Sequence, residues 1–273
     1  MIDEKTEFIA FDTETTGLSA SDGFIVEIAA LKFNLEGIEI DSFSELVKPP
    51  IKMPEIAYRI HKISDEMVAD KPTIEEVLPR FIDYFTGEKN VLIAQNSVFD
   101  IGFVNYEAKR YQLRLPKNCV LDQIDLTRRA FPKLPGYALE KTCKRFDLID
   151  IQTHRAMADA VLVKKLFLHC MKNWETVEQR LAILNSLPHF TFGGPMIVTI
   201  DRGLVEVINV AIEAGKNLEI VYNGGSHKGR SRPITPTFIY NRDGMAYLAA
   251  KCLMSNAGKQ FRIDRIVECR PAK

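Results

Sequence analysis

Asp12 and Glu14 stand two residues apart inside an apolar run that reads EFIAFDTE over Glu7–Glu14. In an extended strand that spacing places both carboxylates on one face. On an otherwise apolar strand they repel each other and cost desolvation unless a cation holds them. For this pair alone, a strand edge facing water is the alternative. Asp100 lies near the start of a helix expected over Asn96–Tyr111, where an acid also suits capping of the first turn. His154 and Asp159 lie at and just inside the start of another expected helix. Together, four carboxylates and one imidazole come from strand and helix starts in distant parts of the chain. Hard oxygen ligands of this kind suit Mg²⁺ or Mn²⁺ rather than Zn²⁺. Two such ions about 3.5–4 Å apart can hold a phosphodiester, one raising an attacking hydroxide and the other stabilising the leaving 3′-oxygen.

The elements that must position these groups follow from pattern. Glu7–Glu14 reads as a buried strand that breaks at Thr15-Thr16-Gly17, and Phe24–Phe33 and Ile38–Val47 read as two more. Their order predicts an antiparallel start to a sheet. Thr73 caps a helix expected over Ile74–Phe85. Short strands at Val91–Ala94 and Val120-Leu121 alternate with helices at Asn96–Tyr111, Ile124–Ala130, Ala138–Phe146 and Ala156–Met171. This is an α/β pattern, and it predicts a first domain over residues 1–172. Trp174–Leu187 has helical character, but Pro188, Gly193, Gly194 and Pro195 break the pattern, so 173–200 reads as a linker. A helix at Arg202–Ala214 and strands at Leu218–Tyr222, Thr237–Ile239, Ala246–Lys251 and Gln260–Arg265 predict a small β-rich domain over 201–273.

The chain has 273 residues, 46% hydrophobic and 26% charged, an ordinary globular composition that excludes disorder and collagen. Net charge is zero but unevenly spread. Residues 1–170 hold 22 basic and 27 acidic residues, whereas 220–273 hold 10 and 3. An acidic front and a basic tail suit two units with different partners, although small domains also differ in charge by chance. A further basic stretch, 105–145, holds ten Lys/Arg against four Asp/Glu, beside the acidic centre in sequence. It suits guidance of a nucleic-acid backbone, although solvated helix faces give the same count. Five cysteines without a CxxC pair argue against a disulfide framework or a zinc site. The acidic opening MIDEKTEF and the lack of an apolar run of ~18 residues predict a soluble, cytoplasmic protein with no membrane contact.

FDTETTG (Phe11–Gly17), QNSVFD (Gln95–Asp100) and HRAMAD (His154–Asp159) resemble the three motifs of the DEDDh 3′→5′ exonucleases, a family that includes polymerase III proofreading subunits and exonuclease X. The resemblance covers about residues 6–172. It implies an RNase H-like fold and two Mg²⁺ or Mn²⁺ ions. Asp12, Glu14 and Asp159 would surround one ion, and Asp12 with Asp100 the second. His154 would be the general base. Gly17 and Leu18 resemble positions that grip the 3′-terminal nucleotide, with His61 and Phe99 as base or sugar contacts; helix packing explains Phe99 equally well. Gln95, Ser97 and Lys62 depart from the residues common in the family, and none of these is a ligand position.

The tail segments LEIVYNGG, RPITPTFI, AYLAAKC and FRIDRI, within Leu218–Ile266, resemble a WYL domain. That implies an SH3-like β-barrel that binds nucleic acid or a nucleotide-like ligand. Arg232, Arg262 and Arg265 fit the family's basic positions, and Tyr247 stands in the altered namesake triplet, where Ala246 replaces Trp. Pairing of the arginines with Asp264, Glu268 or solvent is the plainer explanation. The resulting expectation is a 3′→5′ exonuclease that releases nucleoside 5′-monophosphates from nucleic-acid 3′ ends, single-stranded DNA first. An exoribonuclease is the closest rival. A non-catalytic regulator sensing a ligand through its tail is the rival from another class, but it would be expected to have lost one of the five residues.

Overall fold

The structure is a computed structural model, and it describes residues 1–17, 20, 23–87, 89–149, 154–192, 202–242 and 245–272. Three strands open it: β1 (Glu7–Thr15), β2 (Ile25–Phe33) and β3 (Glu39–Leu46), paired as an antiparallel meander. The helices α1 (Glu55–His61), α2 (Asp65–Val68) and α3 (Ile74–Phe85) follow. Then come β4 (Asn90–Ala94), α4 (Val98–Arg110), β5 (Cys119–Asp122), α5 (Gln123–Ala130), α6 (Leu139–Arg145), α7 (Ala156–Met171), α8 (Val177–Ser186) and β6 (His189–Thr191). The sheet order is β3-β2-β1-β4-β5-β6, with β4 parallel to β1 and to β5.

The apolar run of β1 is explained by cover on both faces. Ile9 and Phe11 enter a core with α3 and α4, while Phe8 and Ala10 enter a second core with α7. Period two divides one run between two layers, as in strands with helices on both sides. Helix α3 starts on a capping box between Thr73 and Glu76 and buries Val77, Leu78, Phe81 and Phe85. Helix α7 buries Leu162, Val163, Leu166, Phe167 and Cys170 against β1 and β2.

The stretch expected as a linker begins with ordered structure of this first unit. Leu184 and Leu187 are buried in the α7 core. The Asn185 side chain accepts from Ile2 N at 2.9 Å and donates to Ile2 O at 2.8 Å. β6 pairs antiparallel with β5 and covers an edge that would otherwise be open. The chain therefore stays in the first unit at least to Phe192, which is buried beside Phe85. Residues 193–200 lie outside the described residues.

The second unit holds α9 (Arg202–Glu213), β7 (Leu218–Tyr222), β8 (Ser231–Arg242), β9 (Met245–Cys252), β10 (Ala257–Arg262) and β11 (Ile266–Pro271). Its strands run antiparallel in the order β10-β9-β8-β7-β11 around Ile208, Leu218, Ile220, Ile234, Leu248 and Phe261. Among the described residues no pairing joins β10 to β11, so no closed barrel is found there. Strand β8 runs far beyond Thr237–Ile239. Pro233 and Pro236 hide it in the sequence, and a register shift between Pro236 and Phe238 accommodates the missing donor.

The two units touch. Phe238, Tyr247 and Ala249 pack on the α3–α4 core. A Cβ added to Gly102 would lie 2.8 Å from Phe238 Cε1. Gln260 Nε2 donates to Asn96 Oδ1 at 3.3 Å. Among the described residues no helix is long and apolar enough to cross a membrane.

Candidate active site

Strand β1 carries Asp12 and Glu14 on one face, both half-buried, and turns Thr13 into the protein. The Thr13 backbone N and Oγ1 donate to Asp100 Oδ1 at 2.9 and 2.8 Å. The first turn of α4 is thereby tied to β1, with Asp100 2% exposed. Asp159 enters from the first turn of α7 and is 6% exposed. One carboxylate oxygen from each of Asp12, Glu14 and Asp159 lies within 4.8 Å of the others. Asp100 stands outside this group of three, next to Asp12 through Thr13. His154 lies two residues before α7 at φ +48°, a left-handed backbone that costs a non-glycine residue roughly 1–2 kcal/mol.

The sequence reading missed Glu27. This acid sits on β2 opposite Glu14 and is 3% exposed. Its Oε1 accepts from Arg155 Nη2 at 2.6 Å, and its Oε2 accepts from Arg155 Nε and Ala156 N, each at 2.9 Å. Glu27 thus holds the side chain next to His154 and also a free N–H at the start of α7. A single acid inside IVEIAALKF was the available signal, but its partner lies 128 residues away.

Electrostatics define what the cluster needs. Burial, then repulsion from Asp100, Asp159 and Glu14, raises the Asp12 carboxyl well above its ordinary range. Burial and the charges of Asp159, Glu27 and Asp100 push Glu14 up to about 8, against the opposing pull of Arg155. Burial pushes Asp100 up to about 7, although its bonds from Thr13 act the other way. Converging carboxylates that resist ionisation, with only oxygen donors in the group, fit a hard divalent cation.

A stability prediction follows. A carboxyl whose pKa is raised by folding stabilises the fold fully below its unfolded value and loses that contribution as pH rises toward the folded value. For Glu14 the window runs from 4.5 to about 8. In chelator, Tm should fall from pH 5 to pH 8 by about 5 °C or more, corresponding to ~2 kcal/mol. Mg²⁺ or Mn²⁺ should restore Tm more at pH 8 than at pH 5. A metal-independent, flat Tm across that range would show that the carboxylates are not strained.

The other expected contacts are placed as follows. Gly17 is half-buried, and its carbonyl accepts from Thr15 Oγ1 at 2.7 Å. Leu18 lies outside the described residues. His61 is only 1% exposed, and its Nδ1 accepts from Ile63 N, so its ring faces protein rather than an open pocket. Phe99 is half-buried and packs on Phe103 with ring centres 5.1 Å apart. Arg232 is buried: its guanidinium lies over Tyr222 and Phe261, and Nη2 donates to His227 O. It supports the second unit's interior instead of presenting a surface charge. Tyr247 is half-buried against the first unit, Arg262 is half-buried and Arg265 is exposed.

Comparison with known proteins agrees with this geometry. The exonuclease family matches residues 9–167, and the WYL domain matches residues 203–271. The PolC-type DNA polymerase III of Caldanaerobacter subterraneus subsp. tengcongensis is 35% identical over 171 residues, which is 63% of this chain and 12% of that protein. This chain therefore spans about an eighth of that relative's length. The DNA polymerase III subunit epsilon of Aquifex aeolicus is 32% identical over 165 residues, 60% of this chain and 80% of that one. The structure of exonuclease X in complex with 5′ overhanging duplex DNA matches with a TM-score of 0.50 and 31% identity, covering 64% of this chain and 98% of that one. With more than half of its length matched by the family, and an epsilon subunit covered over four fifths of its own, this chain belongs to the exonuclease family of DEDDh type and carries a WYL domain behind it.

Proposed function

We propose that the chain is a metal-dependent 3′→5′ exonuclease that releases nucleoside 5′-monophosphates from single-stranded DNA ends. The observation that carries this reading is the convergence of Asp12, Glu14 and Asp159 from β1 and α7, with Asp100 fixed beside them through Thr13. Asp12, Glu14 and Asp159 would hold one divalent ion, and Asp12 with Asp100 would hold a second. When bound, the ions supply Lewis acidity, lowering the pKa of water and neutralising phosphate charge. His154 accepts the proton of the attacking water as its oxygen bonds to phosphorus. The bond from phosphorus to the 3′-oxygen breaks in line, and solvent protonates the released 3′-hydroxyl. Glu27 and Arg155 orient the start of α7, and so the imidazole before it. Gly17 and Phe99 border the place of the terminal nucleotide, which must bend between β1 and α4.

Turnover of 5′-labelled single-stranded DNA, duplex DNA and RNA, each with Mg²⁺ and with Mn²⁺, tests the reading. Successive shortening from the 3′ end of single-stranded DNA is expected, with chelator stopping it. Faster digestion of RNA would make the enzyme an exoribonuclease, and internal nicks would overturn the reading.

A further inference from the structure

Strand β5 ends on Asp122, which pairs with Ala94 at the end of β4. Its carboxylate is 6% exposed and serves two elements at once. Oδ1 accepts from Ile124 N at 2.9 Å, capping α5, and from Asn96 N at 3.2 Å. Oδ2 accepts from Ser97 N at 3.2 Å and from Ser97 Oγ at 3.4 Å. Capping uses only the first oxygen, and a neutral Asn caps a helix as well as Asp does. The second oxygen therefore serves the turn between β4 and α4. In that turn Asn96 stands at φ +56°, a left-handed backbone that Asn adopts more readily than most residues. Gln95 Nε2 donates to Tyr137 O at 2.6 Å, and Gln260 Nε2 of the second unit donates to Asn96 Oδ1 at 3.3 Å. The carbonyls of Asn96 and Ser97 accept the first bonds of α4, from Phe99 N at 2.9 Å and Ile101 N at 3.0 Å. Asp100 lies between those two donors in sequence. Thr13 fixes its carboxylate from the β1 side, and this turn fixes its backbone.

We infer that Asp122 is a positioning residue for Asp100: it anchors the start of α4 so that the Asp100 carboxylate meets Asp12 where the second divalent ion would sit. The inference rests on the exonuclease reading and adds a residue to its machinery. A buried carboxylate costs desolvation unless donors satisfy it, and here main-chain N–H groups from two elements do so. Bonds to an ionised acceptor are about twice as strong as neutral ones, which suits a hold on backbone. The anchor is also stiff. β5 lies inside the sheet between β4 and β6, so a strand rather than a loop sets where α4 begins. The LDQIDL segment does not reveal this role, because Asn96 and Ser97 come from 25 or 26 residues earlier.

The test compares wild type with Asp122→Asn and Asp122→Glu. Asn keeps an acceptor for the α5 cap but turns an amide N–H toward the Ser97 donors. Glu keeps the charge but carries its oxygens one methylene further out. Mn²⁺ is titrated calorimetrically with thymidine 5′-monophosphate present, and cleavage of 5′-labelled single-stranded DNA is followed at low and high Mn²⁺. In both variants the weaker Mn²⁺ step should lose about tenfold in affinity, from main-chain bonds lost or bent, with the tighter step unchanged. At low Mn²⁺ kcat should fall by a similar factor without change in KM, and high Mn²⁺ should restore it. Asn185→Ala, which loses its bonds to Ile2, is the control for lost stability alone, and its Mn²⁺ steps should match wild type. Wild-type Mn²⁺ binding by a folded Asp122→Asn protein would overturn the inference. So would wild-type behaviour of Asp122→Glu, since charge rather than position would then be what matters. If neither variant folds, Ser97→Ala takes their place: about a two- to threefold loss at the weaker step supports the anchor, and no loss overturns it. A wild type that binds two Mn²⁺ and cleaves nothing fails the exonuclease reading, while the Mn²⁺ steps still decide the role of Asp122.

Discussion

Asp12→Asn is expected to abolish cleavage and to leave the fold in place. The expected loss is ~10³-fold or more, because divalent-ion stabilisation is worth several kcal/mol and each 1.4 kcal/mol is tenfold. Asp12 is the residue most exposed to this loss, since it adjoins Glu14 and Asp159 on one side and Asp100 on the other. The amide keeps the shape of the side chain but removes one of several repelling charges. In chelator the variant should therefore melt no lower than wild type, and higher at pH 8. Calorimetric titration with Mn²⁺ should show weakened binding. Near-normal turnover by a folded Asp12→Asn protein would sink the shared-ligand arrangement.

His154→Ala is expected to lower kcat by ~10²–10⁴-fold, the range of general-base assistance, with little change in KM or Mn²⁺ affinity. The geometry makes the split specific. His154 is outside the cluster of three ligand carboxylates and stands two residues before α7. Removing the side chain should also relieve nothing in the metal-free fold, unlike Asp12→Asn. A variant that keeps the wild-type rate would move the proton acceptor to another group.

Much of this site was legible in the sequence because its parts are local. Asp12 and Glu14 declare a shared face by their spacing, and α7 over Ala156–Met171 follows from its apolar pattern. Thr73 with Glu76 marks the start of α3 through a contact four residues wide. What escaped depends on distance. Glu27 acquires meaning only when β2 lies beside α7 and Arg155 reaches it. β6 is three residues between a proline and two glycines, and only the open edge of β5 makes it a strand. The burial of Arg232 likewise depends on Tyr222 and Phe261 arriving from β7 and β10.

Gly102 has a meaning beyond its own helix. A glycine in mid-helix costs roughly 0.5–1 kcal/mol relative to alanine, so an exonuclease unit standing alone gains by replacing it. Here the missing methyl is space occupied by Phe238 of the other unit. The position is therefore a record, written in the first unit, of what the second unit leans on. In a chain known only as sequence, a glycine two residues after the Asp100-type carboxylate, paired with an aromatic residue just past a proline in the tail, would flag the same docked architecture. Separating the units would leave that glycine as a cost without a beneficiary, and drift toward alanine there is the trace that loss of the tail would leave.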